Sequence, residues 1–157
     1  MTVRVGEKAP DFVLPASTGD SVRLSDLVRD GAVVLFFYPK DDTLGCTLEA
    51  CSFRDRTGAF SAAGAQVVGI SSDSSASHEH FASKHRLPMK LLSDEDGKVR
   101  ALYGVRAVLG ILPGRATFVI DRLGIVRSVF ASQLRFQEHA DKALEVVKSL
   151  AVGARTT

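Results

Sequence analysis

The sequence predicts an α/β fold whose central mixed sheet is covered by helices on both faces. Three features carry that expectation. Ala32-Val33-Val34-Leu35-Phe36-Phe37-Tyr38 is an unbroken apolar run rich in β-branched and aromatic residues, the pattern of a strand buried on both faces. Strand and helix signals then follow in the order strand, helix, strand, helix, strand, strand, helix. The last segment, Arg135 to Ala151, sets Phe136, Ala140, Ala143, Leu144, Val147 and Leu150 on one stripe at helical spacing.

Each element has a local reason. Asp11 to Leu14 and Ser21 to Leu24 flank a Ser-Thr-Gly-Asp turn and predict an N-terminal β-hairpin, after which Ser25 is expected to cap a brief helical turn. Pro39 ends the first long strand, and the polar loop Lys40 to Gly45 leads into a helix from about Cys46 to Ala63, stopped by Gly64. Gln66 to Ile70 reads as the second core strand, Ser71 to Ser74 as a loop, and the following segment as a helix through His85. Leu91-Leu92 forms a short strand, and Asp96-Gly97 precedes a helical turn ending near Tyr103. Ala116 to Ile120 and Ile125 to Ala131 pair across the turn Asp121-Arg122-Leu123-Gly124.

Composition narrows the function. The 157 residues fit one domain spanning 1–157, and with 45% of them apolar the chain can build a sizeable core. Lysine and arginine number 20 against 18 acids and are scattered, which argues against a nucleic-acid partner. The longest strongly apolar run is far shorter than the roughly 20 residues of a membrane helix, so no membrane association is expected. The N-terminus shows no secretory pattern, and the expected compartment is the cytoplasm. There are two cysteines, Cys46 and Cys51, too few for a disulfide scaffold.

Cys46 falls in the first turn of a predicted helix, just beyond the carboxyl end of the most apolar strand. Unpaired N–H groups and the positive end of the helix dipole favour an anion there, and the thiolate is the nucleophilic form of cysteine. Taken alone, a small buried hydrophobe is an equal reading. Position moves the balance, because sites in α/β sheets prefer the carboxyl ends of strands. Gly45 permits close backbone approach, and Thr43 is expected to set a hydroxyl beside the sulfur. Cys51 lies five residues on, so an intact helix holds the two Cα atoms roughly 8–9 Å apart, beyond the roughly 4.4–6.8 Å of a disulfide. The pair can join only if the first turns unwind. The spacing also excludes a Cys-x-x-Cys motif. His78, His80, His85 and His139 lack metal-ligand spacing with either cysteine, so no metal is expected; His78 and His80 read as a solvated helix face.

The segment Phe37-Tyr38-Pro39-Lys40-Asp41-Asp42-Thr43-Leu44-Gly45-Cys46-Thr47-Leu48-Glu49-Ala50-Cys51-Ser52-Phe53-Arg54-Asp55 closely resembles the active-site segment of peroxiredoxins, in the peroxiredoxin Q (bacterioferritin comigratory protein) subgroup. Pro39, Thr43 and Cys46 meet the core pattern, and the second cysteine five residues on marks the subgroup. Arg115-Ala116-Thr117-Phe118-Val119-Ile120-Asp121 is similar to the strand carrying the family's other arginine. Gly6 to Phe12 and Leu91 to Val105 extend the likeness over nearly the whole chain.

The resemblance implies a thioredoxin-like fold with an N-terminal hairpin extension, and a cysteine peroxidase without cofactor. It implies Cys46 as the peroxidatic cysteine, which attacks hydrogen peroxide or an alkyl hydroperoxide and becomes a sulfenic acid. Cys51 would be the resolving cysteine, closing an intrachain disulfide that a thioredoxin-like dithiol protein reopens. Arg115 would hold thiolate and peroxide through its fork of donors, Thr43 would exchange protons and hydrogen bonds with them, and Pro39 would shield the sulfur. Glu49 and Arg54 follow the family pattern as supporting residues, with a solvated helix face as the equal alternative for each. A monomer is expected, with a weak dimer as the other state. Leu44 departs from the proline usual in the subgroup and leaves loop rigidity open. No cysteine follows Cys51, and a Gly-Gly-Leu-Gly insertion is absent. Val105 to Leu112 lacks periodicity; its alternatives are to line the peroxide entrance, to contact a partner or to cover the core, with the last as the default. Two rival readings remain. One is a general thiol–disulfide oxidoreductase, against which the missing Cys-x-x-Cys and the Pro-Thr-Cys-Arg set weigh. The other is a non-catalytic thioredoxin-like binding module or holdase, which predicts that Cys46→Ser leaves function unaltered.

Overall fold

The computed structural model describes residues 3–105, 114–132 and 135–156, with side chains of the last helix through Ala151. In chain order the elements are β1 (Val13–Pro15), β2 (Ser21–Arg23), α1 (Leu24–Asp30), β3 (Ala32–Phe37), α2 (Leu44–Asp55), α3 (Thr57–Ala62), β4 (Ala65–Ser71), α4 (Ser75–His85), β5 (Lys90–Ser93), α5 (Lys98–Tyr103), β6 (Ala116–Ile120), β7 (Val126–Ala131) and α6 (Phe136–Thr156). Of the Val105–Leu112 stretch, all but Val105 lies outside the described residues. Val105 packs against the core, partly buried.

The apolar run expected to be a central strand is β3, buried at every position. It pairs in parallel with β4, which pairs in parallel with β5, and antiparallel with β6, giving the order β5-β4-β3-β6-β7. Alternate β3 side chains supply two separate cores. Val33, Leu35 and Phe37 join Phe12, Leu27, Val99 and Tyr103 on the face covered by the hairpin, α1 and α5. Val34, Phe36 and Tyr38 join Ala50, Phe53, Phe81, Ala143 and Val147 under α2, α4 and α6. The β1–β2 hairpin is a separate antiparallel pair, as predicted.

Two expectations about helix limits are corrected. Ser25 lies inside α1 and caps nothing; Asp11 Oδ1, fourteen residues upstream, accepts the Ser25 N–H at 3.0 Å instead. The helix expected from Cys46 to Ala63 starts earlier and is two helices. Arg56 leaves helical geometry at φ −107°, ψ 9°, held there by its bonds to Ser52 and an ion pair with Asp141 at 2.8 Å. Gly64, at φ +80°, takes the left-handed turn after α3.

The loop between β3 and α2 is fastened by a buried polar cluster. Asp41 accepts hydrogen bonds from the Tyr38 hydroxyl at 2.6 Å and the Ser77 hydroxyl at 2.8 Å, and its own N–H donates to Asp73 at 2.8 Å. His78 Nδ1 lies 2.7 Å from Asp41 Oδ2, and its Nε2 donates to the Leu92 carbonyl at 3.0 Å. The solvated face expected for His78 is therefore overturned: α4 turns it fully inward, where its ring links three elements, while His80 is exposed. His78→Leu is expected to lower stability by about 1–3 kcal/mol, because it removes one hydrogen bond from the buried Asp41 carboxylate and one from the Leu92 carbonyl. A shift in the urea midpoint with unchanged slope checks this.

Candidate active site

The parallel and antiparallel partners of β3 decide what meets at its carboxyl end. Pairing of Phe37 with Ala116 brings Arg115, the residue before β6, beside the end of the strand. There α2 begins. Thr43 sits at its N-cap with extended backbone (φ −84°, ψ 156°), and its carbonyl accepts the Thr47 N–H at 2.9 Å. Leu44 is the first helical residue and is 78% exposed. A helix start preceded by extended backbone is one that proline also accepts, so the departure at Leu44 leaves the local fold unchanged.

Cys46 is buried in the first turn of α2. Arg115 Nη2 donates to its Sγ at 3.4 Å, and Nη1 donates to Glu49 Oε1 at 2.9 Å. Cys46 and Glu49 are three residues apart, so they share one helix face and one guanidinium can bind both. Phe136, at the start of α6, covers that guanidinium at 4.9 Å from its ring centre. Gly45 makes the fit possible. A Cβ there would stand 2.7 Å from the Phe136 ring and 3.2 Å from Arg115 Nη2.

Other expected residues are placed differently. The Thr43 hydroxyl donates to the Lys40 carbonyl at 3.0 Å, so it braces the loop rather than lying bonded to the sulfur. Pro39 is half-buried directly after Tyr38. Arg54 is not brought to the sulfur: it lies at the far end of α2, donating to the His85 carbonyl at 2.7 Å and pairing with Asp55. Cys51 is half-buried on the same unbroken helix as Cys46, and both are free thiols.

Two residues the sequence reading passed over complete the site. Arg100 of α5 donates to the Gly114 carbonyl at 2.6 Å and the Tyr38 carbonyl at 2.8 Å, bracing the chain just before Arg115 and Pro39 at once. Burial pulls Arg100 below the ordinary arginine value, opposed by the charges of Asp94 and Cys46. His139 is fully buried beneath Glu49, with Nδ1 3.3 Å from Glu49 Oε2. Its position three residues after Phe136 and four before Ala143, on the predicted stripe, was the available signal.

Burial governs the protons here. It pushes Glu49 up to about 8, with Arg115 opposing, and draws His139 down to about 4. Among the described residues, Glu49 Oε2 and Arg115 Nε are buried without a hydrogen-bond partner. Possible metal ligands gather in one place among the described residues, Asp41, Asp73 and His78, whose ligand atoms lie within 4.8 Å of one another but are already engaged in the loop cluster. What the arrangement around Cys46 can do is hold a thiolate: it offers a buried sulfur a fixed cation and the amino end of a helix.

Comparison with known proteins agrees with that chemistry. Residues 5–129 match the AhpC/TSA family. The chain is 48% identical over 148 residues to chloroplastic peroxiredoxin Q of Arabidopsis thaliana, covering 94% of this chain and 68% of that one. The chain belongs to the AhpC/TSA family, in its peroxiredoxin Q branch. Its relative in Sedum lineare, also chloroplastic, is 48% identical over 149 residues, with 94% and 80% covered. The crystal structure of peroxidoxin BcpB from Mycobacterium tuberculosis superposes with a TM-score of 0.88 at 45% identity, covering 94% of this chain and 98% of that one. A cysteine-to-serine variant of Xanthomonas campestris peroxiredoxin Q does so with a TM-score of 0.83 at 30% identity, with 95% and 97% covered. This peroxiredoxin has the thioredoxin-like fold and is a thiol peroxidase, an oxidoreductase working through cysteine. Among the described residues no helix is long and apolar enough to cross a membrane.

Two outcomes follow for this peroxiredoxin. Gly45→Ala is expected to slow oxidation by hydrogen peroxide about 10-fold or more by displacing Phe136 and Arg115, with circular dichroism unchanged; stopped-flow fluorescence reads the rate. The second concerns pH. Glu49, raised in the folded state, binds a proton that the unfolded chain has lost, so its contribution to stability falls as pH rises towards about 8. His139, lowered in the folded state, works oppositely, but only up to its unfolded value of 6.5. Between about pH 6.5 and about 8 the Glu49 contribution stands alone, and wild type is expected to lose stability relative to Glu49→Gln. Denaturant midpoints at the two ends of that window measure the difference.

Proposed function

We propose that this enzyme reduces hydrogen peroxide and alkyl hydroperoxides at Cys46. The observation that carries the reading is the buried Cys46 sulfur in the first turn of α2 with Arg115 Nη2 donating to it. The Cys46 thiolate attacks one peroxide oxygen, the O–O bond breaks, and the other oxygen leaves as alkoxide or hydroxide and takes a proton. Cys46 is then a sulfenic acid. Arg115 stabilises the thiolate and the charge that moves onto the leaving oxygen, and its unpartnered Nε supports a donor role toward an incoming group. Thr43 and Pro39 shape the loop that frames the sulfur, Thr43 through Lys40. Glu49 orients Arg115, and Arg54 anchors the far end of α2 as a supporting residue.

Cys51 resolves the intermediate: its thiol attacks the Cys46 sulfur, water leaves, and an intrachain disulfide forms. A helix that separates the two Cα atoms by roughly 8–9 Å must first unwind, so each cycle alternates folded and locally unfolded states of α2. A thioredoxin-like dithiol protein returns both cysteines to thiols by exchange, and itself leaves as the disulfide. The reading gives the activity to one domain, residues 1–157, acting as a cytoplasmic monomer without metal, cofactor, nucleic acid or membrane; its relatives in plants are named chloroplastic.

Mixing reduced protein with limiting hydrogen peroxide, followed by peptide mass analysis, tests the scheme. The expected product has lost two hydrogens within one peptide joining Cys46 and Cys51. Cys46→Ser is expected to abolish peroxide consumption, and Cys51→Ser to consume one equivalent and stop. Full turnover by Cys46→Ser would remove the assignment.

A further inference from the structure

His139 is a buried titratable group that the peroxide chemistry leaves unused. Its ring is pinned from several sides. Nε2 lies 2.8 Å from the Ser132 carbonyl, an oxygen that can only accept, so Nε2 carries the hydrogen. Nδ1 is then the bare nitrogen, and the Thr117 hydroxyl of β6, 2.8 Å away, donates to it. The Phe130 ring of β7 stands edge-on to the imidazole at 4.8 Å between ring centres. Glu49 Oε2 faces the bare Nδ1 at 3.3 Å and has no hydrogen-bond partner among the described residues.

A carboxylate in that position is unfavourable. Its unpaired oxygen would put negative charge against a nitrogen lone pair in a site closed to water, where an unmet acceptor costs most. A proton on Oε2 removes the conflict, because the charge is gone and the O–H can share the single lone pair of Nδ1 with the Thr117 hydroxyl. Moving that proton to His139 instead would create a buried imidazolium on the same side as Arg115. The charged and titratable groups around the pair are Cys46 on α2, Arg115 before β6 and Arg100 reaching in from α5; α6 contributes His139 itself, β6 Thr117 and β3 apolar side chains.

We propose that His139 is a positioning residue for the peroxidatic site: its bare Nδ1 keeps Glu49 as a neutral carboxylic acid, which orients Arg115 without cancelling the charge Arg115 offers Cys46. The inference rests on Cys46 being the reacting sulfur. Glu49 Oε1 still accepts from Arg115 Nη1, so the guanidinium stays aimed. The positive charge is left for the thiolate, the one full negative charge the guanidinium then meets among the described residues. The raised proton affinity of Glu49 and the lowered one of His139 agree with this distribution.

The test is a thiolate titration by ultraviolet absorbance in a Cys51→Ser background, where Cys46 reports alone. It needs no turnover, so failure of the peroxidase scheme is read separately in the peptide masses. His139→Asn replaces the bare nitrogen by an amide that can turn an N–H to Glu49 Oε2. Glu49 then ionises and pairs with Arg115, and the Cys46 midpoint is expected to rise by about one pH unit or more. Glu49→Gln copies the neutral acid and is expected to keep the wild-type midpoint. In that background His139→Asn should add nothing. A midpoint unmoved by His139→Asn, moved equally in both backgrounds, or lowered by Glu49→Gln overturns the proposal. Should His139→Asn not fold, the infrared difference spectrum between wild type and Glu49→Gln at neutral pH decides: a protonated-carboxyl stretch lost with Glu49 supports the proposal, and its absence from wild type overturns it.

Discussion

A guanidinium with its side chain almost wholly out of water is the constraint on which the rest of this site is built. Arg115 keeps its charge under all physiological conditions, and removing it from solvent costs several kcal/mol unless its donors are met. Cys46 and Glu49 meet two of its nitrogens, and the Phe136 ring faces the plane. Each neighbour is constrained in turn. Position 45 must be glycine for the ring and guanidinium to sit where they do. The β3–β6 register must bring residue 115 to the carboxyl end of β3, and Arg100 holds the two backbone segments flanking that end.

Helix α2 is held unequally along its length. Its carboxyl half is anchored by Phe53 stacked on Phe36 at 4.5 Å, by Arg54 on the His85 carbonyl, and by Arg56 paired with Asp141. Its amino end has no side-chain cap and presents Leu44 and Leu48 to solvent. Opening of the first turn gives up the bonds of Cys46 and Glu49 to Arg115 and the close fit of Gly45 against Phe136. On the proposed reading, the interactions that activate the sulfur are in large part the ones that resist unwinding. A cycle through a Cys46–Cys51 disulfide would begin by giving up the Arg115 contact, once oxidation has removed the thiolate charge that made it favourable.

The loop before α2 shows the opposite economy. Asp41 gathers Tyr38, Ser77 and His78, and Asp73 gathers Ser71 and the Asp41 backbone, so the turn leaving β3 is tied to the turn leaving β4. Buried polar groups satisfied this fully rigidify a segment. The firmly fastened side of the candidate site is the loop; the first turn of the helix is the side without a side-chain cap.

Much of this was legible in the chain itself. Local patterns pointed to the elements: an unbroken apolar run rich in β-branched and aromatic residues reads as a doubly covered strand, a strand–loop–helix junction puts a cysteine at a helix amino end, and a spacing of five forbids a disulfide in an intact helix. Those conclusions depend on neighbours within a few residues, and a sequence displays neighbours directly. The motif around Cys46 likewise announced the family before any fold was known. What stayed hidden required partners far apart in the chain. A histidine on a polar-looking helix reads as solvated until Asp41, thirty-seven residues away, is seen beside it. Thr43 reads as a sulfur ligand until its hydroxyl is found on Lys40. Arg100 and His139 carry no local sign of a role until packing sets them against Tyr38 and Glu49. Tertiary structure decided these because a polar group's role is fixed by which donors and acceptors surround it once water is gone, and the folding of separate elements onto one sheet end chooses that company.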